Sequence, residues 1–174
     1  MPKLKLRGWQ FIIIAESLKD RAVKELITYY QILRNALSED FDISDAKSVN
    51  SDIFRTKKQE AVLKHERLRD IAKAKIDLFE AEHRDCTLNP EEIQELAHLQ
   101  TQYSYSETVI EDIKDKFDFI STIENMIVVV EQKANDTDII KKYDDDPKTS
   151  SSDEEIEDDD GDDEPYPPTW NWGD

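Results

Sequence analysis

The sequence predicts an all-α protein, either an elongated three-helix bundle or a coiled-coil-like helical hairpin, followed by a disordered acidic tail. Three observations support this fold class. Apolar residues recur at helical spacing in three segments, at about residues 9–37, 51–84 and 90–133. Only 3 of the 174 residues are glycine, too few for the turns of a β-sandwich or for a glycine-rich nucleotide-binding loop. Acidic residues crowd the C-terminal end, so we divide the chain into a basic lead-in (1–8), a helical domain (9–140) and a tail (141–174).

The first predicted helix covers about residues 9–37, and its apolar residues form a wide arc. One stripe consists of Val23, Leu26, Tyr30, Leu33 and Leu37. A second stripe consists of Phe11, Ile14, Ala15, Leu18, Tyr29 and Ile32. An arc of this width predicts that the first helix is the central, most deeply buried one.

A loop rich in Ser, Asp and Asn follows, because these side chains bond to the local backbone and compete with helix formation. We expect Phe41, Ile43 and Val49 to hold this loop against the body. The second predicted helix covers about residues 51–84. Its apolar stripe is thin and contains Val62, Leu68, Ile71, Ala72, Ile76 and Phe79. This pattern is typical of a helix that is buried on one side only.

The third predicted helix covers about residues 90–133 and has the clearest start. Asn89 can cap the first amide groups, Pro90 has no amide hydrogen to leave unpaired, and Glu92 can reach back to the cap. A break near residues 102–106, where serines are frequent, is the alternative to one continuous helix.

Heptad spacing persists through this third helix and predicts a seam that other helices must cover. Its positions are Leu96, Leu99, Tyr103, Ser106, Ile110, Ile113, Phe117, Ile120, Glu124 and Ile127. Only Ser106 and Glu124 are strongly polar. The favoured interpretation is a seam covered within the chain; the alternative is a coiled coil that joins copies into a homo-oligomer.

The formal net charge is −18, and most of it lies near the C-terminus. From residue 136 to the end there are 16 acidic and 3 basic residues, whereas the rest of the chain has 25 acidic and 20 basic ones. The run from Asp153 to Glu164 has too little apolar surface to offset the entropy cost of ordering, so we expect it to be disordered. Such charge favours basic protein surfaces as partners and disfavours nucleic acid and anionic lipid.

The tail ends in an aromatic peptide with the composition of a docking motif. Tyr166, Trp170 and Trp172 are the expected anchors, and Asp174 completes the predicted partner-binding set. Tryptophan is enriched at binding hot spots, and prolines at 165–168 favour an extended peptide that loses little entropy on docking. The expected partner is a protein with a basic, aromatic-lined groove. Docking onto the protein's own body is an alternative.

Trp170-Asn171-Trp172 in its acidic surroundings resembles the tryptophan-based peptides that vesicle-coat subunits and kinesin light chains bind. It also resembles the acidic-aromatic tails of phage single-stranded-DNA-binding proteins, which dock on partner proteins. The resemblance is confined to this short peptide and implies a docking role for its tryptophans. The glycine-poor helical body does not resemble the OB-fold that precedes those phage tails.

Ser150, Ser151 and Ser152 each precede an acidic residue by three positions. This spacing resembles the consensus of acid-directed casein kinases. Each phosphate would add a charge of about −1.5 to −2, which would strengthen the attraction of the tail to basic surfaces.

No arrangement of residues predicts catalysis, so we expect neither enzymatic activity nor a cofactor. Glu80 with His83 and Glu95 with His98 have the Glu-x-x-His spacing of helical di-iron sites. Such sites also need glutamates from further helices at the same height, so we expect surface residues here rather than a metal site. Cys86 is the only cysteine, which excludes an internal disulfide, and no oxyanion-forming loop accompanies it.

These features predict a non-enzymatic protein–protein interaction or assembly adaptor in the cytoplasm or nucleus, whose helical body presents the aromatic docking peptide. The apolar run from Phe11 to Ala15 is too short for a signal peptide or a membrane span. One alternative is an acidic chaperone or mimic that covers basic, nucleic-acid-binding proteins. A second alternative is a helical metal-dependent oxidase.

Overall fold

The computed structural model describes the backbone of residues 6–144 and the side chains of residues 6–137. It contains three helices: α1 (Gly8–Leu37), α2 (Asp52–Glu82) and α3 (Pro90–Asp144). No strand occurs among these residues, and the predicted all-α bundle is confirmed. Residues 1–5 of the predicted lead-in and residues 145–174 of the predicted tail lie outside the described residues.

α3 begins at Pro90, where the capping pattern predicted a start. Oδ1 of Asn89 accepts a hydrogen bond from the backbone N–H of Glu92 at 2.9 Å. In return, Oε2 of Glu92 accepts one from the backbone N–H of Asn89 at 2.8 Å. This reciprocal pair satisfies two amide groups that would otherwise be left unpaired at the helix start.

α3 continues to Asp144, so the predicted helix end at residue 133 is wrong, and so is the predicted start of the disordered tail at residue 141. The apolar pattern fades there, but an apolar stripe is not needed to extend a helix that has already formed. No glycine or proline interrupts the chain before Pro147. Nε2 of Gln132 also donates to Oδ1 of Asp136 one turn later, at 3.0 Å.

α3 is unbroken across residues 102–106, and its heptad seam is covered within the chain. None of the ten predicted seam residues is exposed, and Ile113 and Ile120 are completely buried. The polar seam residue Ser106 is buried as well. α1 and α2 provide the cover, since each packs mainly against α3 and only slightly against the other.

The central helix is therefore α3, and the prediction that α1 is central is wrong. Val23, which the main predicted stripe places in the core, has 58% of its surface exposed. The face of α1 that packs on α3 carries small residues, including Ala15 and Ala22, together with Leu33 and Tyr29. Alanines let two helices approach closely, but they contribute little to an apolar pattern dominated by large side chains.

The predicted stripe of α2 is also partly wrong. Leu68 and Ile71 are exposed, whereas His65 is buried in line with Ala61 and Ala72. The sequence does not predict a histidine in the core here. Burial of a polar side chain is unfavourable without a hydrogen-bond partner, and the sequence does not show that partner.

The loop between α1 and α2 covers residues 38–51. It starts at Ser38, which ends α1 in the left-handed conformation with a φ of 56°. Phe41 and Ile43 pack partly buried against the core, and Val49 is completely buried. The three predicted anchors of the loop are thus confirmed.

A carboxylate on α3 holds the end of this loop. Oε1 of Glu124 accepts a hydrogen bond from the backbone N–H of Val49 at 2.8 Å, and its Oε2 accepts one from the Ser48 hydroxyl at 2.7 Å. Glu124 can therefore occupy a seam position, because the loop provides hydrogen-bond donors for its carboxylate.

Candidate interaction surfaces

α1 runs antiparallel to α3 along its C-terminal part. Nζ of Lys19 lies 2.6 Å from a carboxylate oxygen of Glu131, and the ring of Tyr29, farther along α1, lies 6.3 Å from that of Phe117. Residue numbers therefore rise along α1 while they fall along α3.

α2 runs in the same direction as α1 but covers the N-terminal part of α3. Near its start, the ring of Phe54 lies 5.5 Å from that of Tyr29. Near its end, Nε2 of His83 lies 3.3 Å from Oε1 of Glu92. α1 and α2 are thus staggered along α3, so the bundle has three helices in the middle and only two at each end.

At the first of these ends, which we call the α1–α3 end, the N-terminal part of α1 packs against the C-terminal part of α3, where Lys19 meets Glu131. An open groove of ≈ 550 Å³ runs between the two helices. Val23, Leu26 and Val128 form its apolar wall, and Lys47 of the loop lies at its edge. Trp9, Ile12 and Ile13 of α1 and Met126 and Val129 of α3 are also exposed in this part of the bundle.

At the opposite end, which we call the α2–α3 end, the C-terminal part of α2 packs against the N-terminal part of α3, where His83 meets Glu92. Lys64 of α2 donates a hydrogen bond to the carbonyl of Leu37, the last residue of α1, at 3.0 Å. Beyond that contact, the same face of α2 continues at helical spacing. Its next apolar residues, Leu68, Ile71 and Leu78, are exposed, as are Ile93 and Tyr105 of α3.

A basic groove of ≈ 480 Å³ lies between α2 and α3, near the middle of the bundle. Its lining includes the cations Arg55, Lys58 and Lys114 and the ring of Phe117. Nζ of Lys58 lies 3.6 Å from the centroid of the Phe117 ring, which is a cation–π contact. Val62 and Leu63 add apolar surface. Oε1 of Glu66 approaches Lys114 only to 4.0 Å, so the groove keeps an excess of positive charge.

Two further grooves differ in character. One contains Phe119 and Lys116 with two acidic residues, Asp112 and Asp115. Another, at the end of α1, is polar. Neither combines an aromatic ring with an excess of cations.

His65 joins the end of α1 to α2. It is buried, and its Nε2 lies 3.0 Å from the carbonyl oxygen of Ala36. That carbonyl belongs to the last turn of α1 and has no helical partner, so the Nε2–H of His65 donates to it. Nδ1 of His65 has no hydrogen-bond partner among the described residues. The histidine therefore acts as a cap between helices.

The residues with Glu-x-x-His spacing do not form a shared site. His83 stacks on Phe79 at the end of α2, with ring centroids 4.2 Å apart, while His98 is exposed on α3 beside Gln102. Glu80 and Glu95 are exposed. Among the described residues no group of three histidine, cysteine or acidic side chains is arranged to hold a metal ion.

The His83 imidazole has a clear electrostatic environment. Its Nδ1 lies 2.8 Å from the carbonyl oxygen of Phe79. This hydrogen bond and, next, the nearby Glu92 carboxylate raise the pKa of His83 above its ordinary value of 6.5. Cys86 is exposed in the turn that follows.

The predicted partner-binding residues Tyr166, Trp170, Trp172 and Asp174 lie outside the described residues, as do the predicted phosphorylation sites Ser150, Ser151 and Ser152. The structure thus adds three surfaces that the sequence did not reveal: the basic groove and the two ends. The stagger that creates the two ends has no signature in a single helix, because it depends on which segments of different helices meet.

No protein-family model, curated protein or solved structure matches this chain. None of the three described helices contains an apolar stretch sufficient to cross a lipid bilayer.

Proposed function

We propose that this protein is a non-enzymatic protein–protein interaction adaptor, in which the helical body is a mount and the C-terminal segment (residues 145–174) carries the docking peptide. Tyr166, Trp170 and Trp172 are the anchors of that peptide, and Asp174 lies beside them. The partner is a protein with a basic, aromatic-lined groove, met in the cytoplasm or nucleus.

The observation that supports this proposal most directly is the continuity of α3. This helix has 55 residues and would span about 80 Å at 1.5 Å per residue. It forms the core of the body and leads directly to the C-terminal segment. A peptide joined to this helix starts from one tip of a long body, where few body atoms obstruct a partner.

The α1–α3 end lies beside the same tip and gives the partner a second surface. Val128 and Val129 are exposed on α3, and Trp9, Ile12 and Ile13 are exposed on α1. Exposed apolar patches of this kind are typical of protein interaction sites. A partner that holds the peptide is thereby brought next to an apolar surface of the body. The effective concentration of the partner at that surface rises as a result.

A second candidate function is an acidic chaperone or mimic that covers basic proteins. It is favoured by the run of residues 153–164, in which ten of twelve residues are acidic. In this case charge is the active element and the tryptophans are dispensable.

Affinity capture with three chains separates the two functions. These are the full chain, a chain ending at Lys148, and the full chain with Trp170→Ala and Trp172→Ala. An adaptor loses its partner in both altered chains. An acidic chaperone loses it only in the shortened chain. Tyr105→Ala is the matched control, since it removes an exposed aromatic ring at the opposite end of the body. Capture of the same proteins by all three chains would contradict both functions.

A further inference from the structure

We propose that the basic groove between α2 and α3 is an internal binding site for the acidic, aromatic C-terminal segment of the same chain. This inference rests on the proposed docking role of that segment. It adds that the segment binds the helical body of its own chain before it binds a partner. The occupied groove would keep the peptide from partners until a stronger site competes for it.

Chemical complementarity is the first support. The C-terminal segment contains 13 acidic residues and one basic residue. The groove presents Arg55, Lys58 and Lys114 around Phe117. An indole ring has the flat apolar surface that Val62 and Leu63 can cover, and its face attracts the nearby cations. The groove therefore has the basic and aromatic character that the docking peptide requires.

The length of the chain is the second support. From Phe117 to Asp144, α3 would measure about 40 Å at 1.5 Å per residue. Residues 145–170 can extend to about 85 Å, at about 3.3 Å per residue. The segment can therefore turn back along α3 and bring Trp170 to the groove without strain.

A continuous path along α3 is the third support. Phe117, Ser121, Asn125 and Val128 follow one another at spacings of four, four and three residues, so they lie on one face of the helix. Val128 and Asn125 line the groove at the α1–α3 end, and Phe117 lines the basic groove. Lys47 lies beside this path. A segment that leaves the tip of α3 thus passes Lys47 on its way to the basic groove.

Tryptophan fluorescence of the intact chain tests the proposal. The sequence has three tryptophans, so Trp9→Phe leaves Trp170 and Trp172 as the only emitters. In this background we expect emission at shorter wavelength, and weaker quenching by acrylamide, than in a free peptide of residues 153–174. Adding Arg55→Glu and Lys114→Glu should raise the quenching constant by about twofold or more, towards the value of the free peptide, because two attractive charges become repulsive.

Lys73→Glu with Lys75→Glu is the matched control. Both lysines are exposed on α2, and neither lines the groove. Circular dichroism checks that both double variants keep their helices. If the groove variant unfolds, the chain with the unaltered groove is measured at about 1 M salt instead. The Debye length is then about 3 Å, so the attraction between groove and segment is screened and the tryptophans should lose their protection from acrylamide.

Three results would overturn the proposal. The first is quenching in the intact chain equal to that of the free peptide. The second is equal loss of protection in the groove and control variants. The third is protection that depends on protein concentration, which would mean that a second copy supplies the peptide. If the tryptophans still capture a partner but are quenched by acrylamide as strongly as the free peptide, the adaptor function stands and the internal site fails.

Discussion

The carboxylate of Glu124 on α3 binds the backbone N–H of Val49, a residue 75 positions earlier in the chain, at 2.8 Å. Val49 is completely buried, so water cannot replace this acceptor. One side chain therefore decides where the loop between α1 and α2 is fastened to the central helix. A polar residue in a heptad seam usually has a specific hydrogen-bond partner, and the partner of Glu124 is a backbone amide.

Glu124→Ala should lower the free energy of unfolding by about 1–3 kcal/mol, because it leaves a buried amide unpaired. Urea denaturation measures the change. Glu131→Ala is a suitable control, since the Glu131–Lys19 ion pair lies at the surface, where such pairs contribute about 0–1 kcal/mol. Equal losses in the two variants would contradict the role assigned to Glu124.

His65→Ala should be destabilising by about 2–4 kcal/mol, since it leaves the Ala36 carbonyl without its donor and opens a cavity. His65→Gln can restore a donor and should recover part of the loss. Lys64→Ala, which removes the bond to the neighbouring Leu37 carbonyl, should cost less because that side chain is only partly buried. Chemical denaturation of the three variants ranks them, and a harmless His65→Ala would exclude the capping role.

Tyr29→Phe should change stability by less than about 1 kcal/mol, since the buried Tyr29 hydroxyl has no hydrogen-bond partner among the described residues. Tyr29→Ala should cost about 3–5 kcal/mol because its ring packs between Phe54 and Phe117. Thermal unfolding of both variants tests the contrast. A large loss for Tyr29→Phe would show that the hydroxyl is satisfied after all.

Tyr29 should also make the protein sensitive to alkali. Burial and, secondly, the charge of Asp118 raise the pKa of Tyr29 above its ordinary value of 10.0. The unfolded chain therefore releases this proton before the folded one does, and stability should fall as the pH rises above about 10. Denaturation at increasing pH should show a smaller fall in Tyr29→Phe than in the unaltered protein.

His83 should make the stability of the turn between α2 and α3 depend on pH, because the pKa of His83 is raised in the folded state. The folded state holds the proton more tightly, so the stabilisation is complete below pH 6.5 and is lost as the pH rises through the higher pKa of the folded state. His83→Gln should flatten this dependence, and His98→Gln, an exposed change, should not. Hydrogen exchange of residues 84–92 across this range is the direct measurement; a dependence that survives His83→Gln would assign it to another group.

If the groove holds the C-terminal segment, the partner should bind the groove variant more tightly than the unaltered protein. Internal docking reduces the fraction of chains with an available peptide, and the apparent dissociation constant rises by the same factor. Arg55→Glu with Lys114→Glu removes that competition. Titration of the captured partner against both chains measures the effect, and equal or weaker binding by the variant would show that no such competition exists.

The sequence predicts the fold class and α3 well because both depend on local or periodic features. The cap at Asn89 is complete within four residues, and the seam through Ile113 and Ile120 repeats over many turns. The predicted centrality of α1 failed because Val23 and Tyr29 are both apolar, yet only one of them faces α3. Helical periodicity identifies an apolar arc but not the part of a wide arc that a neighbour covers.

The candidate surfaces were beyond prediction for a related reason. Lys58 and Phe117 are 59 positions apart in the sequence, and their contact exists only because α2 packs on α3 in one register. A lysine on a mixed-charge helix is usually a solvated residue. The site residues expected in residues 145–174, in contrast, rest on composition, spacing and a short resemblance, and they remain predictions.

The stagger of α1 and α2 has a consequence for the order of folding. The turn that joins His83 to Glu92 closes a short stretch of chain, whereas Glu25 meets Lys116 across 91 positions. Short closures cost less entropy and form sooner, so the hairpin of α2 and α3 should assemble first and α1 should dock last. On the ribosome α1 is made before the surface that receives it exists. Its apolar face should therefore remain uncovered through most of synthesis.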